Sequence, residues 1–230
     1  MQEKDNIPNQ YRVFLYQILN IIESVVPLGW QEEWDNSGLQ VGNSKAEMKA
    51  VLLTVDVTES VVQEALELGC NLIISHHPLI FKGIKHLTGN TPQERCILTA
   101  IKNDIAIYSA HTSIDNYIHG VSGTLAQKLG LPTYHALSPH PQYHQQGLGV
   151  IGDLPQAIGF VELLSRIKSV LQIQQIRYTH PSQQQVQRIA LCGGSGSSLI
   201  QEAMLQGADV FITAEGKHHD MQLSLGQMAI

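Results

Sequence analysis

Two apolar runs separated by a helix-length segment constrain this chain more than anything else in it. Ala50 to Val57 reads AVLLTVDV, and Asn71 to Ser75 reads NLIIS. Both are rich in branched residues that suit a buried strand. Between them, Thr58 offers an N-cap, Glu59 favours a first helical turn, and the helical pattern runs to Gly69. Strand, helix and strand in this order make a βαβ unit, which requires parallel pairing and a right-handed crossover.

The alternation continues on both sides of that unit. Apolar residues at Val13, Leu15, Ile18, Leu19, Ile22 and Val25 predict an opening helix from Tyr11 to Val26, ended by Pro27 and Gly29. A helix is expected over 92–103, a strand over 105–110 and a helix over 122–129. The stretch from Gly130 to Gly147 is rich in Pro, His and Gln without a clear period, and reads as an irregular connection. Beyond it the pattern predicts strands over 148–152, 173–178, 188–192 and 208–213, with helices over 160–170 and 199–206. The expected fold class is therefore α/β: two similar lobes, about 11–130 and 148–230, with largely parallel sheets flanked by helices.

Composition narrows the function. Hydrophobic residues make up 43% of the 230, enough for an ample core, while 15% are charged and the net charge is -6. No basic surface exists in bulk to hold a phosphate backbone, which argues against nucleic acid as the principal partner. The first ten residues are polar and lack an apolar signal core, and no apolar run is long enough to span a bilayer. A cytoplasmic protein without a membrane segment is expected. Cys70, Cys96 and Cys192 match no zinc or redox spacing and read as small buried hydrophobes. Eleven histidines, several of them clustered, hint at metal.

The clusters fall where sites form. His76 and His77 follow the strand 71–75 and precede Pro78, so they stand at a strand's carboxyl end, where open parallel sheets bind ligands. Neighbours in an extended chain point to opposite sides, so two adjacent imidazoles suit two ions better than one; a turn with both rings bonded to carbonyls is the alternative. His111 and Asp115 follow the strand 105–110, and a carboxylate such as Asp115 can bridge two cations; an Asx turn or helix cap is its other reading. Asp35, in the polar turn after the first helix, could hydrogen-bond a ligand imidazole or metal-bound water, or simply form an Asx turn. Gly193, Gly194, Ser195 and Gly196 stand between a strand and a helix, where backbone N–H groups could hold phosphate, although the segment lacks the P-loop Lys and has Leu199 where a dinucleotide fingerprint needs Gly. A tight packing turn is the plainer reading. Glu215, His218 and His219 follow the strand 208–213 and suggest a role beside the metals or substrate, or a solvated helix start.

WDNSGLQVG at 34–42, SHHPLIF at 75–81, HTSIDN at 111–116 and TAEGKHHD at 213–220 together resemble the Nif-three-like family of GTP cyclohydrolase type 2 homologs. The resemblance runs from about Tyr11 onward. It implies two lobes facing a cleft, a dinuclear divalent-metal site and a toroidal hexamer built from dimers. It places His76, His77 and Asp115 among the ligands and His111 beside the metals. The extra domain that some longer relatives insert between the lobes is expected to be absent. Thr213-Ala214-Glu215 departs from the usual Thr-Gly-Asp or Thr-Gly-Glu but keeps the carboxylate. Similar sequences continue into a Gly-His segment and a Glu that complete the metal site, so the natural protein is expected to extend beyond Ile230.

A metal-dependent hydrolase acting on a nucleotide or another phosphate compound fits these parts, because paired ions lower the pKa of a bound water and stabilise developing charge. The alternatives are a non-enzymatic ring that stores or delivers metal, and an interaction scaffold. Imidazole with carboxylate accepts Zn, Fe, Mn, Ni or Co, and two ions per subunit are expected. No single residue is singled out as catalytic from the sequence.

Overall fold

The computed structural model describes residues 12–230. Tyr11, where the expected first helix opens, lies outside the described residues. The chain divides into two compact units, the first ending at Ser113 and the second comprising Ile114–Ile230. The division thus falls well before the 130–147 stretch expected to carry it.

In the first unit, α1 spans Leu15–Val25, followed by β1 (Gly38–Val41), β2 (Val51–Thr54), α2 (Glu59–Glu67), β3 (Leu72–Ser75), α3 (Pro92–Lys102) and β4 (Ala106–Ser109). The strand order is β1-β4-β3-β2, with β2·β3 and β3·β4 parallel and β1·β4 antiparallel. The expected βαβ unit is present, and Thr58 caps α2 by accepting from Val61 N at 3.3 Å. β4 is buried along its whole length because helices cover both sheet faces. Ile73 and Ile107 pack with Val62, Ala65, Ile97 and Ala100 on one face. On the other, Tyr108 interacts with Glu23 of α1. β1 takes up the last two residues of the segment 34–39 read as a polar turn. Its pairing depends on Gly42, whose backbone has φ 105° and where a Cβ would lie 2.6 Å from Ala106 Cα, so no other residue fits there without displacement.

A helical turn, α4 (Thr112–Asp115), crosses the division. The second unit continues with α5 (Val121–Leu129), β5 (Tyr134–Pro139), β6 (Gly147–Gly159), α6 (Phe160–Leu171), β7 (Gln185–Ser195), α7 (Ile200–Leu205), β8 (Val210–Glu215) and α8 (His218–Leu223). Its sheet runs β5-β6-β7-β8. Only β7·β8 is parallel; β5·β6 and β6·β7 are antiparallel, where the sequence suggested mostly parallel pairing. The stretch read as irregular supplies β5, an edge strand ordered by pairing with β6 and able to carry Pro139 at its end for that reason. The strand expected over 173–178 does not form; Ile173, Ile176 and Tyr178 instead line a cavity of about 730 Å³ beside α6. Met228 and Ala229 are buried next to β8, where Ala229 bridges Val210 in parallel. All three cysteines are buried and free. Among the described residues no helix is long and apolar enough to cross a membrane.

Glu94 ties together the loop before α3. Thr91 caps the helix by accepting from Glu94 N at 3.2 Å, and the Glu94 carboxylate accepts from Thr88 N and Gly89 N, both at 2.8 Å, and from Thr91 Oγ1. The bonds from Thr88, opposed in part by desolvation, lower the Glu94 pKa from 4.5 to about 2. A depressed carboxyl pKa stabilises above the ordinary value and is lost as pH falls through the folded one. Amide exchange at Thr88 and Gly89, corrected for intrinsic rates, is therefore expected to rise as pH drops from 4.5 to about 2. Glu94→Gln should show the faster exchange already at pH 7; equal protection in both proteins would contradict this role.

Candidate metal centre

The parallel register of β3 and β4 sets Ser75 beside Ser109, and the two hydroxyls meet 2.8 Å apart, buried. One residue further, both chains leave the sheet at the same level. His76 and His77 follow β3, Ala110 and His111 follow β4, and the ring centroids of the three histidines lie 4.9, 5.3 and 5.6 Å apart. Their candidate ligand atoms all lie within 4.8 Å of one another, the one such group of three or more among the described residues.

The adjacent imidazoles do not point to opposite sides as an extended chain would place them. Strand geometry ends at Ser75, and the bend at His76 and His77 before Pro78 turns both rings toward His111. The first unit thus gathers His76, His77 and His111 in one cluster, where an extended chain would send the adjacent imidazoles to opposite sides.

Each imidazole is held through its Nδ1. His76 Nδ1 lies 2.9 Å from the Ala110 carbonyl, His77 Nδ1 lies 2.7 Å from Asp56 Oδ1, and His111 Nδ1 lies 2.8 Å from Asp35 Oδ1. A carbonyl and a carboxylate only accept, so Nδ1 must carry the proton in all three, and in the neutral ring the lone pair then stands on Nε2. This is how metal-binding histidines are oriented. The residues present fit a divalent ion.

Asp35 is the most constrained of the supporting groups. Its side chain is fully enclosed, and besides His111 it accepts from Thr112 N at 2.9 Å, from Ser37 Oγ at 3.0 Å, from Asn36 N at 2.7 Å and from Thr112 Oγ1. Burial alone would raise its pKa, but the bonds from His111, Thr112 and Asn36 outweigh it and hold the carboxyl well below the usual range. Asp35, read as able to hydrogen-bond an imidazole, contacts that of His111. Asp56 was not singled out in the sequence. The signal was available: it ends the apolar run beside the one that ends in histidines, and parallel pairing continues past Thr54, with His77 N donating to Val55 O at 2.9 Å.

The remaining candidates lie in the second unit. Asp115 ends α4, and its charge, after burial, is the second cause that pushes the Cys192 thiol up to about 12. The Gly/Ser segment is a packing turn in large part. Gly193 N donates to Ser122 Oγ at 3.2 Å, Gly196 N donates to Thr213 Oγ1 at 2.9 Å, and a Cβ on Gly196 would lie 2.8 Å from that of Cys192. Ser195 belongs to β7, and Gly194, with φ 71°, accepts from Thr213 Oγ1 at 3.0 Å. The helix expected to open at Leu199 begins with a 3-10 turn, Ser197–Leu199. Glu215, His218 and His219 are exposed, and His218 Nε2 meets Gln222 Nε2 at 3.1 Å within α8.

Removing the Asp35 carboxylate would leave several enclosed donors without an acceptor, each a destabilising loss of about 1 kcal/mol or more. Asp35→Ala is expected to lower unfolding stability by about 2–4 kcal/mol in urea titration. A change under about 0.5 kcal/mol would mean the carboxylate does not organise this region.

The family model described as Duf34/NIF3 (NGG1p interacting factor 3) matches residues 14–229. A Clostridium perfringens protein named GTP cyclohydrolase 1 type 2 homolog is 36% identical over 205 residues, covering 89% of this chain and 78% of its own. The crystal structure of Staphylococcus aureus protein SA1388 is similar with a TM-score of 0.86 and 32% identity, over 94% of this chain and 84% of that one. A Bacillus cereus protein related to NIF3 gives a TM-score of 0.87 at 26% identity, over 95% and 87%. Sequence motifs, fold and relatives agree, and the chain belongs to the Duf34/NIF3 family.

Proposed function

We propose that the protein is a metal-dependent hydrolase whose first ion is held by His76, His77 and His111. The observation that supports this reading is the anchoring of all three clustered rings through Nδ1, which puts the lone pair of each neutral ring on Nε2. An ion held by these three side chains would supply Lewis acidity, lowering the pKa of a water bound to it. His111 acts as a ligand in this reading, not only as a neighbour. Asp115 enters on the sequence motif alone, as the carboxylate that would bridge to a second ion. The imidazole set accepts Zn, Fe, Mn, Ni or Co. The substrate class we propose is a nucleotide or related phosphate compound, in line with the name carried by the C. perfringens relative. A homo-oligomer, with the hexamer as the expected form, belongs to the same proposal.

Calorimetric titration of zinc into chelator-treated protein tests the site directly. Wild type is expected to bind at least one equivalent, and His76→Ala to lose that binding. Asp56→Asn, which leaves all three ligands in place but loosens His77, should weaken it about 10- to 100-fold. Asp115→Ala should lower the stoichiometry from two to one if the bridge is real. Release of product from a nucleotide panel should stop on chelation and return with metal. Tight metal binding without turnover of any nucleotide would favour a metal-holding role instead, and wild-type affinity in His76→Ala would end the metal reading.

A further inference from the structure

Two large aromatic side chains stand in solvent beside the imidazoles. Trp34 is 58% exposed and Phe81 is 44% exposed, although burial would stabilise both. Their ring centroids are 5.9 Å apart, and each presents an edge-type contact to the His111 ring, at 6.2 and 6.3 Å. They come from segments distant in sequence that are stitched together next to the rings. Asn36 Nδ2 donates to Ile80 O, Ile80 N donates to Gln40 Oε1 at 2.9 Å, and the enclosed Asp35 directly follows Trp34. Exposed rings on anchored backbone are preorganised, so a ligand that covers them gains contact area without ordering the chain first.

The residues after Phe81 add charge. Lys82, Lys85 and His86 line a cavity of about 480 Å³ together with Phe81. Glu94 also lines it, but its carboxylate is engaged by Thr88, Gly89 and Asn90, as described above. Phe81 thus belongs both to the aromatic pair beside His111 and to a cavity lined by cationic side chains.

We propose that Trp34 and Phe81 form a ring-binding wall that takes the face of a planar nitrogen heterocycle, whose ring-edge heteroatom reaches the metal and whose anionic arm is held by Lys82 and Lys85. An indole and a phenyl ring stack on a planar heterocycle, whereas a sugar phosphate offers them no π face. Imidazole-bound divalent ions accept ring nitrogen and carbonyl oxygen as further ligands. Only the ring-edge contact rests on the metal reading given above; stacking and charge act with or without the ion. Anion recognition thereby moves from the Gly/Ser turn, where two N–H groups are already bonded within the protein, to the segment after Phe81.

GMP is a suitable probe, since it carries a ring face, ring-edge nitrogen and oxygen, and a phosphate. The chain has two tryptophans, so Trp30→Phe leaves Trp34 as the indole reporter. GMP is expected to quench its emission saturably in metal-free or zinc-loaded protein, while ribose 5-phosphate leaves it unchanged. Calorimetry on the otherwise wild-type chain supplies the same comparison if Trp30→Phe does not fold. Phe81→Ala and Trp34→Leu should each raise the GMP Kd about tenfold, with Phe81→Tyr close to wild type. Lys82→Ala with Lys85→Ala should weaken GMP but not guanosine. Zinc stoichiometry, measured separately, tests the metal reading, so its failure is distinct from failure of the wall. The wall is overturned if GMP binds in neither state, or binds Phe81→Ala and Trp34→Leu as tightly as wild type.

Discussion

The parallel pairing of β3 with β4 is the constraint on which the rest of the first unit depends. Because Ser75 and Ser109 stand opposite one another, the two chains leave the sheet at one level, and the residues that follow are neighbours whatever their separation in sequence. A slip of one residue would turn Ile73 and Ile107 away from the α2 and α3 layer and carry His111 away from His76 and His77. Hydrophobic register and candidate metal geometry are thus the same choice, and the core enforces the site.

A second layer of order comes from buried carboxylate chemistry. Asp35 gathers donors from its own turn and from the start of α4, which ties the segment after α1 to the end of β4. The gain from several charge-assisted bonds outweighs the cost of enclosing the charge, as the depressed pKa shows. Asp56, in a more exposed position, holds the His77 ring. The two carboxylates differ in consequence: Asp35 supports both the fold and a ring, whereas Asp56 bears mainly on the ring it touches.

The two units reach similar layering by different pairings. The first is built around a parallel core that grows by crossover helices, and its central strand is buried on both faces. The second begins with an antiparallel hairpin, β5 and β6, before its single parallel pair, and buries α5 and α6 against one face and α7 against the other. Internal likeness in the sequence, with strands and helices alternating in both halves, does not distinguish these cases, because local alternation carries no information about strand direction.

By itself the sequence determined the elements with strong local signals: the βαβ unit, the capped helices α2 and α3, and the placement of His76, His77 and His111 just past strand ends. Those follow from apolar period, cap chemistry and the strand-breaking Pro78, all of which act within a few residues. Only the tertiary structure decided what depends on partners distant in the chain. β5 exists because β6 pairs with it, 173–178 takes no strand pairing among the described residues, and β1 fits because Gly42 passes against Ala106. The convergence of adjacent imidazoles, the role of Asp56 and the aromatic pair beside His111 belong to the same class, since ring direction is set by contacts across strands and loops and not by the order of residues.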